Sequence, residues 1–397
     1  MFKNLDEIKC RGRRVIVRGD LNVPMQFGAV TDSTRLDRFA ATVQELSDKG
    51  ARVAVVSHLG RPQGEVRPEL SLQPIAEALS TALGGRAVAF ADNCIGAAAK
   101  SAIDALPDGG IVLLENVRFH AGEEANDPTF IAALAENADL YVNDGFSVSH
   151  RAHASTAGIA GVLQAYAGRG MQAELEALSA ALEVPKKPVV ALVGGAKVST
   201  KLSVLGHLLH KVDSLIIGGG MANTFLFALG TDIGASLCEK ELADTAREIM
   251  ALADKIGCRI VLPSDVVIAA GLEEGIVTKV VPIAAVPPNQ MILDVGPETR
   301  AALNLHLENC GTLLWNGPLG AFEVTPFDAG TNAVAQRAAE LTAVGSLVSV
   351  AGGGDTVAAL RRANAIDDFS YVSTAGGAFL EWMEGSELPG VAALNKY

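Results

Sequence analysis

The chain has 397 residues, 49% of them drawn from AVILMFWYC, with 41 glycines and a formal net charge of −13. That length exceeds what one hydrophobic core usually serves, so two domains are the default, and the composition excludes a disordered chain. The acidic balance argues against nucleic acid, which needs a basic footprint, but allows a local arginine cluster that holds a small anion.

Lys3, Asp6, Glu7 and Lys9 interrupt any apolar start, so no secretory signal is expected. Five scattered cysteines (Cys10, Cys94, Cys238, Cys258 and Cys310) lack any Cys-x-x-Cys spacing and read as reduced thiols of a cytoplasmic protein. The uncharged stretch 214–231 contains three consecutive glycines and Asn223. It reads as strand, turn and helix, not as a membrane span.

In the first half, apolar β-branched runs predict strands near 14–18, 52–57, 87–90, 111–115 and 139–142. Four of them stop at charged turns. The first meets Arg18, Gly19, Asp20 and Asn22; the second meets His58 and Arg61. The fourth meets Arg118 and His120, and the fifth meets Asp144, His150 and Arg151. Next comes MQAELEALSAAL at 171–182, which places Leu175, Leu178 and Leu182 on one helical face. Bounded by glycines before and by Pro185 and Pro188 after, it reads either as a connector between domains or as one more peripheral helix.

The second half predicts strands at 189–193, 214–217, 259–262, 312–315, 347–350 and 371–373. Most of these stop at glycines: LVGGAK, IIGGGM, WNGPLG, VAGGGDT and STAGGA. Strands alternating with helical patterns predict an α/β chain with parallel sheets, whose ligands bind beyond the carboxyl strand ends. Arg and His at strand ends suit a small polyanion, while glycines let backbone N–H groups approach phosphates. Two such halves point to an enzyme that brings two phosphorylated molecules together.

No Gly-Lys dipeptide occurs, so a Walker A loop is absent, and no strand runs into Gly-x-Gly-x-x-Gly. That removes the main support for a P-loop kinase or a dinucleotide dehydrogenase. In VAGGGDTVAALRR at 350–362, Asp355 is either a helix cap or a carboxylate offered to Mg²⁺ beside a phosphate seat. Lys197 and Lys201 in GGAKVSTK share a face if that segment is helical; they are either solvated or directed at a ligand. Glu323, after WNGPLG, is either a surface residue or an acceptor for ribose hydroxyls. Arg18, Arg35, Arg118 and Arg151 lie at strand ends or in the loops between, where their planar forks could converge on one anion. His150 and His153, like His207 and His210, have no third ligand at a familiar spacing, so zinc is not expected.

Taken in order, VRGDLNVP (17–24), SHLGRP (57–62), LLENVRFH (113–120), NDGFSVSHRAH (143–153), GGAKVSTK (194–201), IIGGGMANTF (216–225), DVGPET (294–299), WNGPLGAFE (315–323), GGGDT (352–356) and STAGGAFLEWMEG (373–385) resemble the phosphoglycerate kinase family along essentially the whole chain. The resemblance implies two Rossmann-like, three-layer αβα domains with parallel sheets, joined by a helix and closing by a hinge. An N-terminal phosphoglycerate domain would span 1–170 with a returning tail, 386–397. A nucleotide domain would span 171–385, including the connector helix 171–183. It also implies Mg²⁺-dependent phosphoryl transfer from 1,3-bisphosphoglycerate to ADP, giving 3-phosphoglycerate and ATP, by a cytoplasmic monomer of glycolysis and gluconeogenesis with no nucleic-acid or membrane partner.

Matched residue by residue, the resemblance places Asp20, Asn22, Arg35, His58, Arg61, Arg118 and Arg151 at phosphoglycerate. It places Lys201, Gly218, Glu323, Gly353, Gly354, Asp355 and Thr356 at the nucleotide, with Asp355 at the metal. Arg35, Lys197, Lys201 and Gly376 would act at the transferring phosphoryl group. Two departures stand out. Ala375 takes the first place of a run that is often three glycines, and DGFSVSHR replaces the commoner DAFGTAHR while keeping Arg151.

Overall fold

The computed structural model describes residues 2–395, and the chain divides into two compact units. One is the chain up to Leu175 together with the segment from Glu387 onward; the other is Glu176–Ser386.

The first unit is built on six strands: β1 (Arg14–Arg18), β2 (Arg52–Val56), β3 (Val88–Ala91), β4 (Ile111–Leu114), β5 (Leu140–Asn143) and β6 (Ala165–Ala167). They pair all-parallel in the order β3-β4-β2-β1-β5-β6. Val15, Ile16 and Val17 of β1 are all fully buried. Parallel sheets carry helices on both faces, so their strands read as continuous apolar runs without alternation. Helix α1 (Thr34–Asp48) buries Leu36, Phe39, Ala40, Val43 and Leu46, a stripe at three- and four-residue spacing. These residues share one core with Val15, Val17, Val53 and Val55. The chain leaves β1 toward β2 on one side and, after β4, crosses to β5 on the other side of β1, which opens a crevice beyond the carboxyl ends of these strands.

The strand at 165–167 was not foreseen. The returning tail is tied to this unit: Asn143 Nδ2 donates to Gly390 O at 3.4 Å, and Gly390 N donates to Ser149 O at 2.8 Å.

The expected connector is helix α2 (Arg169–Leu182), which starts two residues before the predicted span. Side chains from neighbouring elements explain the early start. Arg169 N donates to Thr42 Oγ1 at 2.7 Å and Met171 N to Asp144 Oδ1 at 3.0 Å, so two first-turn amides are capped. Leu178 and Leu182 are buried and Leu175 is half-buried.

The second unit carries β7 (Val189–Val193), β8 (Ser214–Ile217), β9 (Arg259–Val261), β10 (Asp265–Ala269), β11 (Lys279–Pro282), β12 (Met291–Val295), β13 (Thr312–Asn316), β14 (Val348–Gly352) and β15 (Tyr371–Ser373). Six of them form a parallel sheet in the order β9-β8-β7-β13-β14-β15. The other three form an antiparallel sheet, β11-β10-β12, that the sequence reading did not contain. Antiparallel strands need no helical crossover, so they escape a search for strands alternating with helices. The helices that matter for the site are α3 (Leu202–Leu209), α4 (Gly219–Ala228), α5 (Ala329–Ala343), α6 (Gly354–Arg362) and α7 (Gly377–Met383).

The uncharged stretch at 214–231 is β8, Gly218 and α4, as expected. Among the described residues no helix is long and apolar enough to cross a membrane.

Trp315 on β13 is fully buried among Val190, Leu192, Leu313, Val334 and Leu360, and its indole N–H donates to Gly317 O at 2.7 Å. The turn that follows is tight. Gly317 has φ +104°, and a Cβ there would lie 2.2 Å from Gly194 O. A backbone oxygen at the end of β7 cannot swing aside. Gly317→Ala is therefore expected to destabilise the second unit by on the order of 3 kcal/mol, combining left-handed strain with the clash. Urea unfolding followed by Trp fluorescence checks this; an unchanged midpoint would refute it.

Candidate active site

In the first unit, the residues expected at phosphoglycerate gather beyond β1, β2, β4 and β5. Arg35 enters from the first turn of α1. Its Nη1 donates to Asp20 Oδ2 at 2.7 Å and to Asn22 O at 3.0 Å. Asn22 Oδ1 in turn accepts from Gly60 N at 2.9 Å, which joins the loop after β1 to the loop after β2. The Ser147 hydroxyl, from the turn after β5, also donates to Asp20 Oδ2. Arg118 is 4% exposed and donates to Gly60 O at 2.9 Å. Arg61 is exposed and has no hydrogen-bond or ion-pair partner among the described residues. Arg151 is half-buried beside His150, whose Nε2 accepts from its Nε at 3.1 Å.

His58 is the common focus. It is 4% exposed, and burial holds its pKa well below the ordinary histidine value, with the charges of Arg18, Arg118, Arg35 and Arg151 adding to the effect. Four guanidinium groups thus act on one ring, which is neutral at pH 7. The sequence reading expected these same four arginines to converge on one anion; the fold sets their charges around a single buried ring in a chain of net charge −13.

The second unit has its own crevice where the strand order reverses, between β7 and β13. Lys201 occupies it. Its ammonium donates to Gly194 O at 2.8 Å, to Asn316 O at 3.0 Å and to Asn316 Oδ1. Desolvation lowers its pKa to about 8, against a weaker opposing pull from Asp355. The helical premise for Lys197 and Lys201 fails. Residues 194–201 form a loop and turn, Lys201 only caps α3, and Lys197 is exposed. The turn is held by Ser199, whose N donates to Glu239 at 2.9 Å, and by Lys201 N, which donates to Val198 O at 2.8 Å.

A cavity of about 300 Å³ opens beside this lysine, lined among others by Gly195, Gly219, Gly220, Leu237, Leu293, Pro318, Glu323 and Asp355. Glu323 and Asp355 thus line the same cavity. Gly218 does not line it; it is buried, and a Cβ there would meet Leu319 at 2.7 Å. The next two glycines line the cavity in its place. Gly353 caps α6 at φ +97°, and Thr356 Oγ1 accepts from Gly317 N at 2.7 Å, binding two glycine turns together. Gly354 is exposed at the start of α6.

Asp355 sits in the first turn of α6, yet it caps nothing. Its carboxylate is exposed and takes part in no hydrogen bond or ion pair among the described residues. No cluster of three or more His, Cys, Asp or Glu that could hold a metal exists among those residues. One free carboxylate at the lip of this cavity fits Mg²⁺ held mostly by phosphates and water, and it does not fit an all-protein cage.

At the last glycine turn, Gly376 caps α7, and Ala375 N donates to Ser373 Oγ at 3.2 Å. The Ala375 amide is thus already engaged within its own turn.

The sequence reading missed several participants. Ser147 carried no signal of its own. Asn316 could have been found, because it directly follows a predicted strand within WNGP; its amide bridges Lys201 and, at 2.7 Å, Gly352 O. Asp294 of DVGPET lines the cavity and receives Gly330 N at 2.7 Å from the first turn of α5; burial pushes its pKa up to about 7.

A family model described as phosphoglycerate kinase matches residues 5–386. A phosphoglycerate kinase of Chelativorans sp. (strain BNC1) is 60% identical over 396 residues, covering 100% of this chain and 99% of that protein. The phosphoglycerate kinase structure from Coxiella burnetii superposes with a TM-score of 0.93 at 44% identity, covering 100% and 99% of the two chains. That from Pyrococcus horikoshii OT3 gives 0.81 at 28% identity, covering 99% and 98%. With the whole fold matched and nearly the whole sequence covered, the chain belongs to the phosphoglycerate kinase family, and is a kinase of glycolysis.

Proposed function

We propose that the first unit holds 3-phosphoglycerate or 1,3-bisphosphoglycerate, that the second holds MgADP or MgATP, and that the phosphoryl group passes directly in line between them. In this reading His58, Arg61, Arg118 and Arg151 bind the acid substrate, and Asp20 and Asn22 orient it. Arg35 faces the transferring group. Lys201, Glu323 and the run Gly353, Gly354, Asp355 and Thr356 hold the nucleotide, with Asp355 toward Mg²⁺. Lys197 and Gly376 act near the transferring phosphoryl group. The observation that carries the division is the focus of four arginines on neutral His58 in one unit, against a glycine-lined cavity in the other.

The chemistry agrees with the residues. In one direction the nucleophile is the substrate's carboxylate, and in the other it is a phosphate oxygen of ADP. Both are ionised at neutral pH, so no general base is required. Catalysis then rests on positioning and on stabilising charge spread over the phosphoryl oxygens, which suits arginine, lysine and backbone N–H donors. Mg²⁺, when bound with the nucleotide, neutralises phosphate charge. Because the two ligands are assigned to different units, transfer requires the units to close and expel water. The reading extends to a cytoplasmic monomer; five free thiols, four of them buried, support a reducing compartment.

The test is calorimetric titration of each ligand separately, beside an assay coupling ATP with 3-phosphoglycerate. Asp355→Ala is expected to weaken MgATP at least about tenfold, the loss of one charged contact, while metal-free ATP and phosphoglycerate bind nearly as before. Equal weakening of ATP with and without metal would remove Asp355 from the metal.

A further inference from the structure

Behind the substrate site lies a buried polar chain that the proposed mechanism does not use. Glu123 is fully buried in the helical turn Ala121–Glu124. Its Oε2 accepts Ser155 N at 2.8 Å and its Oε1 accepts the Ser155 hydroxyl at 2.6 Å. Ser155 Oγ accepts Arg18 Nε at 2.8 Å. Arg18, 1% exposed, reaches His58 Nδ1 with Nη2 at 3.2 Å. Tyr141 OH donates to Ser155 O at 2.9 Å and fixes the backbone of the bridge.

The directions of these bonds are forced. A guanidinium only donates, so Ser155 Oγ and His58 Nδ1 must both accept from Arg18. The Ser155 hydroxyl then has its proton free for Glu123. Arg18 and Glu123 are bridged through one hydroxyl; burial pushes the Glu123 pKa up, and the Arg18 charge and the two Ser155 hydrogen bonds oppose that shift. At the far end, a neutral His58 whose Nδ1 accepts must carry its proton on Nε2. That nitrogen has no hydrogen-bond partner among the described residues.

A competing tautomer exists. Asp20 Oδ1 lies 3.9 Å from the same Nδ1 and would favour a proton there. Arg35 and Ser147 both donate to the other oxygen of Asp20, and Arg35, Arg118 and Arg151 add positive charge around the ring. His153 faces Glu123 from the other side, its Nδ1 3.9 Å from Oε1, and burial lowers its pKa to about 4, so it adds no charge at neutral pH.

We propose that Glu123 is a positioning residue: through Ser155 it holds Arg18, and Arg18 locks His58 as the Nε2–H tautomer, so the ring presents a neutral donor to the anionic substrate. The proposal rests on the reading that His58 binds phosphoglycerate. Glu123 touches no substrate in this scheme. It acts through two other side chains.

Long-range ¹H–¹⁵N spectra of histidine-labelled protein report the tautomer without any substrate. The parent protein is expected to show His58 as neutral Nε2–H from pH 6 to 8. A parent signal that is cationic or Nδ1–H at pH 7 overturns the proposal with no variant needed. In Ser155→Ala and Glu123→Gln, the His58 signal is expected to gain Nδ1–H character, as Asp20 takes over. The KM for 3-phosphoglycerate should then rise about tenfold while the KM for ATP stays within about twofold, the loss of one hydrogen bond to a charged group. An unchanged tautomer in folded variants overturns the relay and leaves the substrate assignment standing. A changed tautomer with unchanged phosphoglycerate KM removes His58 from substrate recognition, and the proposal with it.

Discussion

Replacing Arg35 by alanine is expected to lower kcat by on the order of 10³-fold, with a much smaller change in the KM of either substrate. The magnitude follows from what the side chain is prepared to do. Asp20 Oδ2 and Asn22 O both hold Nη1, leaving the guanidinium oriented with its other donors available. A donor held in place before reaction costs no reorganisation when charge develops, and removing one such donor typically costs 10²–10³-fold. Unfolding does not offer a rival explanation. The Arg35–Asp20 pair is partly exposed, with 35% and 12% of the two side chains accessible, and such pairs contribute about 1 kcal/mol or less. Arg35→Lys keeps the charge and loses the planar fork, so it should recover only part of the rate. Quench-flow measurement of the transfer step decides the matter; turnover within about tenfold of the parent would exclude Arg35 from the transition state.

Lys201→Met is expected to lower kcat/KM by roughly 10²- to 10³-fold and to flatten its alkaline limb. The ammonium is desolvated between Gly194 and Asn316, and its pKa falls to about 8. The sign follows from the protonated form being the useful one. It is present below about pH 8 and is lost as pH rises through that value. Because kcat/KM reports the free enzyme, the parent's kcat/KM should fall above about pH 8. Bound phosphates favour the cation, so kcat itself should fall at higher pH. Folding should not suffer, since methionine removes the desolvation cost of a buried charge. A Lys201→Met enzyme whose kcat/KM still declines with the parent's midpoint would assign that limb to another group.

The positions of the six-stranded sheets were legible because their strands are covered on both faces. VIV at 15–17 and VVALV at 189–193 are unbroken apolar runs, and covering both faces is what makes them so. The same search passed over β10, β11 and β12, whose antiparallel pairing needs no helix between strands. The shared face of Lys197 and Lys201 was conditional on a helix, and there Ser199, Glu239 and a closed turn hold a loop instead. Periodicity over eight residues cannot distinguish these cases, because the bonds that decide come from residue 239.

What the sequence by itself determined is chemical: which residue types stand at each strand end, and hence one charged half and one glycine-lined half. Chain order and local apolar runs suffice for that, since a strand's carboxyl end is a property of the strand alone. Only the tertiary structure decided which of those residues act together. Arg18, Arg35, Arg118 and Arg151 are up to 133 positions apart, yet all act on His58. Lys201 owes its lowered pKa to burial between Gly194 and an asparagine 115 residues away. Glu123 and Ser155 come together with Arg18 only because two helical turns pack behind it. Burial and electrostatic coupling depend on distance in space, and no spacing along the chain encodes them.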